Sequence, residues 1–130
     1  MIKFAYTILY VQDVTNAIEF YEKAFGFTRK FIAPGNDYGE LLAGETTLSF
    51  ASTTLAKSNL KGGFAESSLT NQPFGIEIGF TTNNVDETLK TAMNAGATIV
   101  EYPATKPWGQ VVAYVRDPDG FLIEICTPMD

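Results

Sequence analysis

At 130 residues the chain is long enough to bury a core and too short for two independent ones, so a single folding unit spanning residues 1–130 is expected. A net charge of −6, with no run of Lys or Arg to track a phosphate backbone, argues against nucleic acid or an anionic membrane as partner. Histidine is absent and Cys126 is the lone cysteine. That removes the commonest general base, any Ser-His or Cys-His pair, an internal disulfide and a thiolate metal cluster.

Phe4 to Val11, rich in β-branched and aromatic residues, predicts a strand. The run is too short for a membrane span, gives way to Gln12 and Asp13, and has no small-residue cleavage site behind it, so a soluble, cytoplasmic chain is expected. From Val14 the apolar residues Val14, Ala17, Ile18, Tyr21, Ala24 and Phe25 form one helical stripe, opposite Thr15, Asn16, Glu19, Glu22 and Lys23. Asp13 or Thr15 is placed to cap its start and Gly26 to close its end. Strands follow at Thr28 to Ile32, Gly39 to Ala43 and Thr46 to Ala51, separated by Pro34-Gly35-Asn36-Asp37 and Gly44-Glu45.

Between Ser52 and Gln72 the composition turns polar, with Gly62-Gly63, which predicts either a plain connector or a flap with glycine hinges. The plan then repeats: a strand at Gly75 to Thr81, a helix from Val85 with Leu89, Ala92 and Met93 inward, and Gly96. Three further strands are expected at Thr98 to Tyr102, Gln110 to Arg116 and Phe121 to Thr127. Tyr6 stands eight residues before Val14, as Glu77 does before Val85, which points to two duplicated β-α-β-β-β modules. Their expected bounds are about 1–54 and about 73–130, joined by a connector at about 55–72.

Val11-Gln12-Asp13-Val14, Ala17-Ile18-Glu19-Phe20-Tyr21 and Phe25-Gly26-Phe27 resemble the first module of the glyoxalase/bleomycin-resistance/dioxygenase (vicinal oxygen chelate) superfamily. Val115-Arg116-Asp117-Pro118-Asp119-Gly120-Phe121-Leu122-Ile123-Glu124 is similar to its last hairpin, and the ordered match covers nearly the whole chain. The resemblance implies an α+β fold of two βαβββ modules whose four-stranded sheets curl into half-barrels, with helices outside and a ligand site inside that a second chain completes. It also maps the four metal-ligand positions of metal-dependent members onto Tyr6, Ser49, Glu77 and Glu124, of which Glu124 alone keeps the usual residue type. No cofactor is therefore expected, and no tightly bound nickel, zinc or iron. If any ion binds, Glu77 and Glu124 are its ligands, and it is a hard divalent one that keeps several waters.

Glu77 lies between Ile76 and Ile78, and Glu124 between Ile123 and Ile125, so alternation points each carboxylate away from the isoleucines, toward solvent or a cavity. The resemblance favours the cavity, where two facing carboxylates should have split pKa values and suit a cationic or hydrogen-bonding ligand, or act as an acid/base pair. Trp108, in Lys106-Pro107-Trp108-Gly109, either plugs the core or gives a ligand a stacking surface at the cavity mouth. Tyr6, Tyr38 and Tyr114 are candidate aromatic walls, Tyr10 and Phe50 weaker ones. The favoured expectation is metal-independent binding of a small molecule, of the bleomycin-resistance kind, by a homodimer. The alternatives are a lyase, isomerase or dioxygenase relative using Glu77 and Glu124, and a regulatory subunit with a vestigial cavity.

Overall fold

The computed structural model describes residues 1–129 and divides into two compact units. The first holds residues 1–22 and 26–66; the second holds residues 23–25 and the chain from Ser67 onward. In the first, β1 (Thr7–Val11), β2 (Thr28–Ile32), β3 (Tyr38–Ala43) and β4 (Thr46–Ser52) form a sheet in the order β1-β4-β3-β2, with α1 (Val14–Phe25) crossing between β1 and β2. In the second, β5 (Glu77–Thr81), β6 (Thr98–Thr105), β7 (Val111–Arg116) and β8 (Leu122–Cys126) repeat that order as β5-β8-β7-β6 around α3 (Val85–Ala95). In both, the first strand runs parallel to the last and the other pairs are antiparallel. This is the α+β architecture of two βαβββ modules.

The helices form where the apolar stripe and the caps agree. Asp13 accepts a hydrogen bond from the Asn16 amide at 3.0 Å, and Gly26 closes α1 in the left-handed conformation, donating to the Glu22 carbonyl. Val14, Ala17, Ile18, Tyr21 and Ala24 are buried along with Leu9, Leu41, Leu48 and Phe50 of the sheet, the Tyr21 and Phe50 rings lying 5.3 Å apart. Gly39 is what lets this helix sit so close: a Cβ there would lie 2.6 Å from Ile18 Cδ1. In the second unit Asn84 caps α3, whose Val85, Leu89 and Ala92 are buried together with Ala113, Val115, Ile123 and Ile125.

Four differences from the expected elements have local causes. β1 begins at Thr7, not Phe4, where its pairing with β4 starts opposite Leu48. β5 likewise begins at Glu77, opposite Leu122, not at Gly75. β6 runs past Tyr102 to Thr105 through Pro103, which an edge strand with broken register accommodates. The segment expected to be a connector or flap opens with a helix, α2 (Thr53–Asn59), capped by Ser52, whose Oγ accepts from the Leu55 amide at 3.0 Å and donates to Asp37 Oδ1.

The β7–β8 turn carries more than its Asp-Pro-Asp-Gly sequence suggests. Asp117 accepts from the Asp119 and Phe121 amides, while the buried Arg116 guanidinium donates to the carbonyls of Gly120, Ser68 and Asn71 at 2.8–2.9 Å. Gly120 has φ +92, and a Cβ on it would meet the Ser68 carbonyl carbon at 2.7 Å. The turn thus clasps residues 68–71 to the second unit. Among the described residues no helix is long and apolar enough to cross a membrane.

Candidate functional site

Strand alternation sorts each sheet into a face that meets its helix and a face that does not. In the second unit Ile123, Ile125, Ala113 and Val115 take the helix side, so Tyr114, Glu124 and Cys126 take the other. Tyr114 and Glu124 are directly opposed across β7 and β8, and Glu124 is opposed to Gly79 of β5, two residues from Glu77 on the same face. Register therefore collects Glu77, Tyr114, Glu124 and Cys126 into one cluster.

Inside that cluster Glu124 is the acceptor. The Tyr114 hydroxyl donates to its Oε1 at 2.9 Å, and the Glu77 carboxyl hydrogen-bonds it as well. Burial by itself would raise the Glu124 pKa, but the bonds from Cys126, Tyr114 and Glu77, helped by the positive charge of Lys106, outweigh it and hold Glu124 below the usual carboxylate value. Glu77 moves the other way, raised by burial first and then by its bond to, and repulsion from, the Glu124 carboxylate. The two carboxyl groups behave as one pair whose pKa values are pushed apart. Burial and the adjacent carboxylate push the Tyr114 hydroxyl up to about 12 and the Cys126 thiol up to about 11, so both stay protonated donors near neutral pH. The thiol also lies 3.7 Å from the Phe80 carbonyl. Among the described residues no ion pair reaches either carboxylate.

The corresponding face of the first unit is built differently. Tyr38 donates to Glu40 Oε2 at 2.7 Å, and Lys30 pairs with Glu40 Oε1 at 3.3 Å, so the carboxylate charge is balanced. Ser49, opposite Glu40 in the register, is fully buried, and its Oγ meets no partner at hydrogen-bonding geometry; its interaction with the Tyr38 phenol is a looser one. Burial first, and then Glu40, raise the Tyr38 pKa. Tyr6 lies just before β1 and is about half exposed.

Trp108 stands apart from both clusters. It sits in the tight β6–β7 turn and lines an open cleft of about 270 Å³ with Gly109, Gln110, Thr127, Pro128 and Met129; neither Glu77 nor Glu124 lines that cleft. Glu40, Lys30, Cys126 and Gln110 were not singled out as site residues from sequence. Their signal is register: Glu40 becomes readable once it is set opposite Ser49, and Cys126 once it is placed two residues beyond Glu124 on the same face.

A transition-metal centre does not fit these donors. Tyr6 and Ser49 are poor donors to such an ion when neutral, and among the described residues no three His, Cys, Asp or Glu side chains are grouped to hold one.

The family model for the Glyoxalase/Bleomycin resistance protein/Dioxygenase superfamily matches residues 3–125. The chain belongs to that superfamily. Within reach of this superfamily chain, an uncharacterized protein of Mycobacterium bovis is 31% identical over 115 residues, 86% of this chain and 74% of that one. A virulence protein of Salmonella typhimurium is 27% identical over 122 residues, 91% of this chain and 78% of its own length. Among solved structures, a glyoxalase-related enzyme from Fulvimarina pelagi superposes with TM-score 0.82 at 19% identity, over 98% of this chain and 89% of that one. TioX from Micromonospora sp. ML1 gives TM-score 0.73 at 21% identity, over 98% and 99%. At such identities the superpositions establish the superfamily fold.

Proposed function

We propose that the protein binds a small organic molecule without a metal ion, sequestering it in the manner of the superfamily's bleomycin-resistance members. The contact face is the one carrying Glu77, Tyr114 and Glu124; Tyr6, Tyr38 and Ser49 are the matching group of the first unit. One observation carries this reading: the Tyr114 hydroxyl donates to the Glu124 carboxylate at 2.9 Å, and among the described residues no ion pair reaches that carboxylate. A carboxylate held anionic by neutral donors retains its capacity for a charge-assisted hydrogen bond, worth roughly twice a neutral one. The complementary ligand group is an amine, an amidine or another cationic N–H donor. The reading includes a homodimer in the cytoplasm, where a lone thiol such as Cys126 stays reduced.

A second reading rests on the same pair. Two carboxyl groups pushed apart in pKa are the arrangement of a general acid and a general base, as in a lyase or isomerase. A thermal-shift screen of cationic, neutral and anionic organic compounds, run on the protein and on Glu124→Gln, separates the two. Sequestration predicts that cationic compounds raise the melting temperature, that Glu124→Gln loses most of that rise, and that the compounds are recovered unchanged. Turnover of a compound supports the second reading. Stabilisation that is equal in Glu124→Gln, or stoichiometric divalent metal lost in that variant, would overturn the proposal.

A further inference from the structure

The cleft at Trp108 lies outside the acidic cluster, and its chemistry differs. Trp108 is 62% exposed, a costly position for the largest aromatic side chain. Yet the indole is fixed: its Nε1 donates to Gln110 Oε1 at 2.8 Å, and Gln110 Nε2 donates in turn to the Thr127 carbonyl at 2.8 Å. Thr127 is tied to Val111 by two more hydrogen bonds, so the ring is anchored through Gln110 to the end of the β7–β8 pair. With its single polar atom satisfied, what the indole offers outward is its π face. The remaining lining is Gly109, Pro128 and Met129, and among the described residues no charged side chain joins it.

We propose that this cleft is a stacking subsite for an uncharged planar aromatic ring system, separate from the acidic face. Three features select that class. A rigid, exposed indole pays little ordering entropy when a flat ring stacks on it. Met129 also lines the cleft and brings a thioether, a group that makes favourable contact with the edge of such a ring. Among the described residues the lining offers a charged group no partner of opposite sign, while the volume of about 270 Å³ falls just below the range of drug-sized pockets and so suits one ring system rather than a whole ligand.

The test uses the full chain labelled with nitrogen-15, in which the one tryptophan gives one indole N–H resonance. 2-Naphthamide is the probe, and decahydro-2-naphthamide is the non-planar control of similar bulk. The indole resonance is expected to move saturably with 2-naphthamide and to stay in place with the control. Trp108→Leu should weaken 2-naphthamide binding, followed by saturation transfer to the probe, by about fivefold to tenfold. Gln110→Ala should weaken it less and shift the free indole resonance, because Gln110 acts by positioning the ring. Glu124→Gln should leave the response intact, so that this site and the acidic face fail or stand separately. The proposal is overturned by an unmoved indole resonance, by equal shifts with the saturated control, by unaltered binding in Trp108→Leu that retains the native circular dichroism, or by loss of the response in Glu124→Gln.

Discussion

Glu77 and Glu124 answer pH in opposite directions although they share a hydrogen bond. Glu77 is raised from 4.5, so its protonated form is favoured by folding; that contribution is complete below its unfolded value and is lost as pH rises through its folded value. Glu124 is lowered from 4.5, so its contribution is present above the unfolded value and is lost as pH falls through the folded one. The difference in melting temperature between Glu77→Gln and the native protein should therefore grow in favour of the variant as pH rises above the ordinary carboxylate range, because the amide donates without titrating. Glu124→Gln should lose most relative to the native protein above the ordinary carboxylate range. A pH-independent gap in both series would mean that the two pKa values are not pushed apart. The resemblance supplied Tyr6, Ser49, Glu77 and Glu124 as candidates, and the strand register sets Glu77 and Glu124 on one face of the second sheet; the bond between Tyr114 and Glu124 was not readable from sequence. Tyr114 meets Glu124 only through the β7–β8 register, which a one-residue slip would break, whereas Tyr38 and Glu40 lie two apart on one strand.

At the scale of elements, two glycines with the same sign of φ should respond very differently to a methyl group. Gly44 has φ +65 with nothing within 4 Å of an added Cβ, so Gly44→Ala should cost only the left-handed penalty, about 1–2 kcal/mol. Gly120→Ala adds a clash with the Ser68 backbone and with the Arg116 guanidinium, and should cost roughly 1–3 kcal/mol more. Urea unfolding midpoints compare the two variants directly, and equal losses would mean that the clasp on residues 68–71 relaxes freely. Both main helices were readable because stripe and caps agreed. The short α2 was not: Thr-Thr-Leu-Ala-Lys-Ser-Asn has too few apolar positions to show a period, and its stability rests on the Ser52 cap and on burial of Thr53 and Ala56. Arg116 was read as part of a turn motif, while its three carbonyl partners lie up to forty-eight residues away in sequence.

For the whole molecule, duplication was the most legible feature, since eight-residue offsets recur in both halves and the two sheets share one strand order. What sequence left unread was where one unit stops, because the change falls at Ser67, inside a polar stretch with no periodicity. In the first unit Tyr6, Ile8, Phe31 and Leu42 all stay more than a third exposed, and in the second Phe74, Ile76 and Val100 do so as well. Apolar side chains in such number are expected to be covered by a second copy in the proposed homodimer. Sedimentation equilibrium at micromolar concentration should return twice the chain mass of 14.2 kDa, and Ile8→Glu should shift the equilibrium toward the single chain. A monomer at all concentrations would dismiss the dimer.

The parallel pairing of first with last strand in each half also sets the order in which the chain can fold. The β2–β3 and β3–β4 hairpins, and their counterparts β6–β7 and β7–β8, close locally. Such hairpins form within microseconds. The pairings of Thr7 with Leu48 and of Glu77 with Leu122 instead join residues about forty apart, with a helix in between. On a ribosome the first sheet has all its strands once Ser52 has emerged, whereas the second waits for Cys126. In each half the return of the last strand to the first is therefore the step expected to set the pace, since it closes the longest loop.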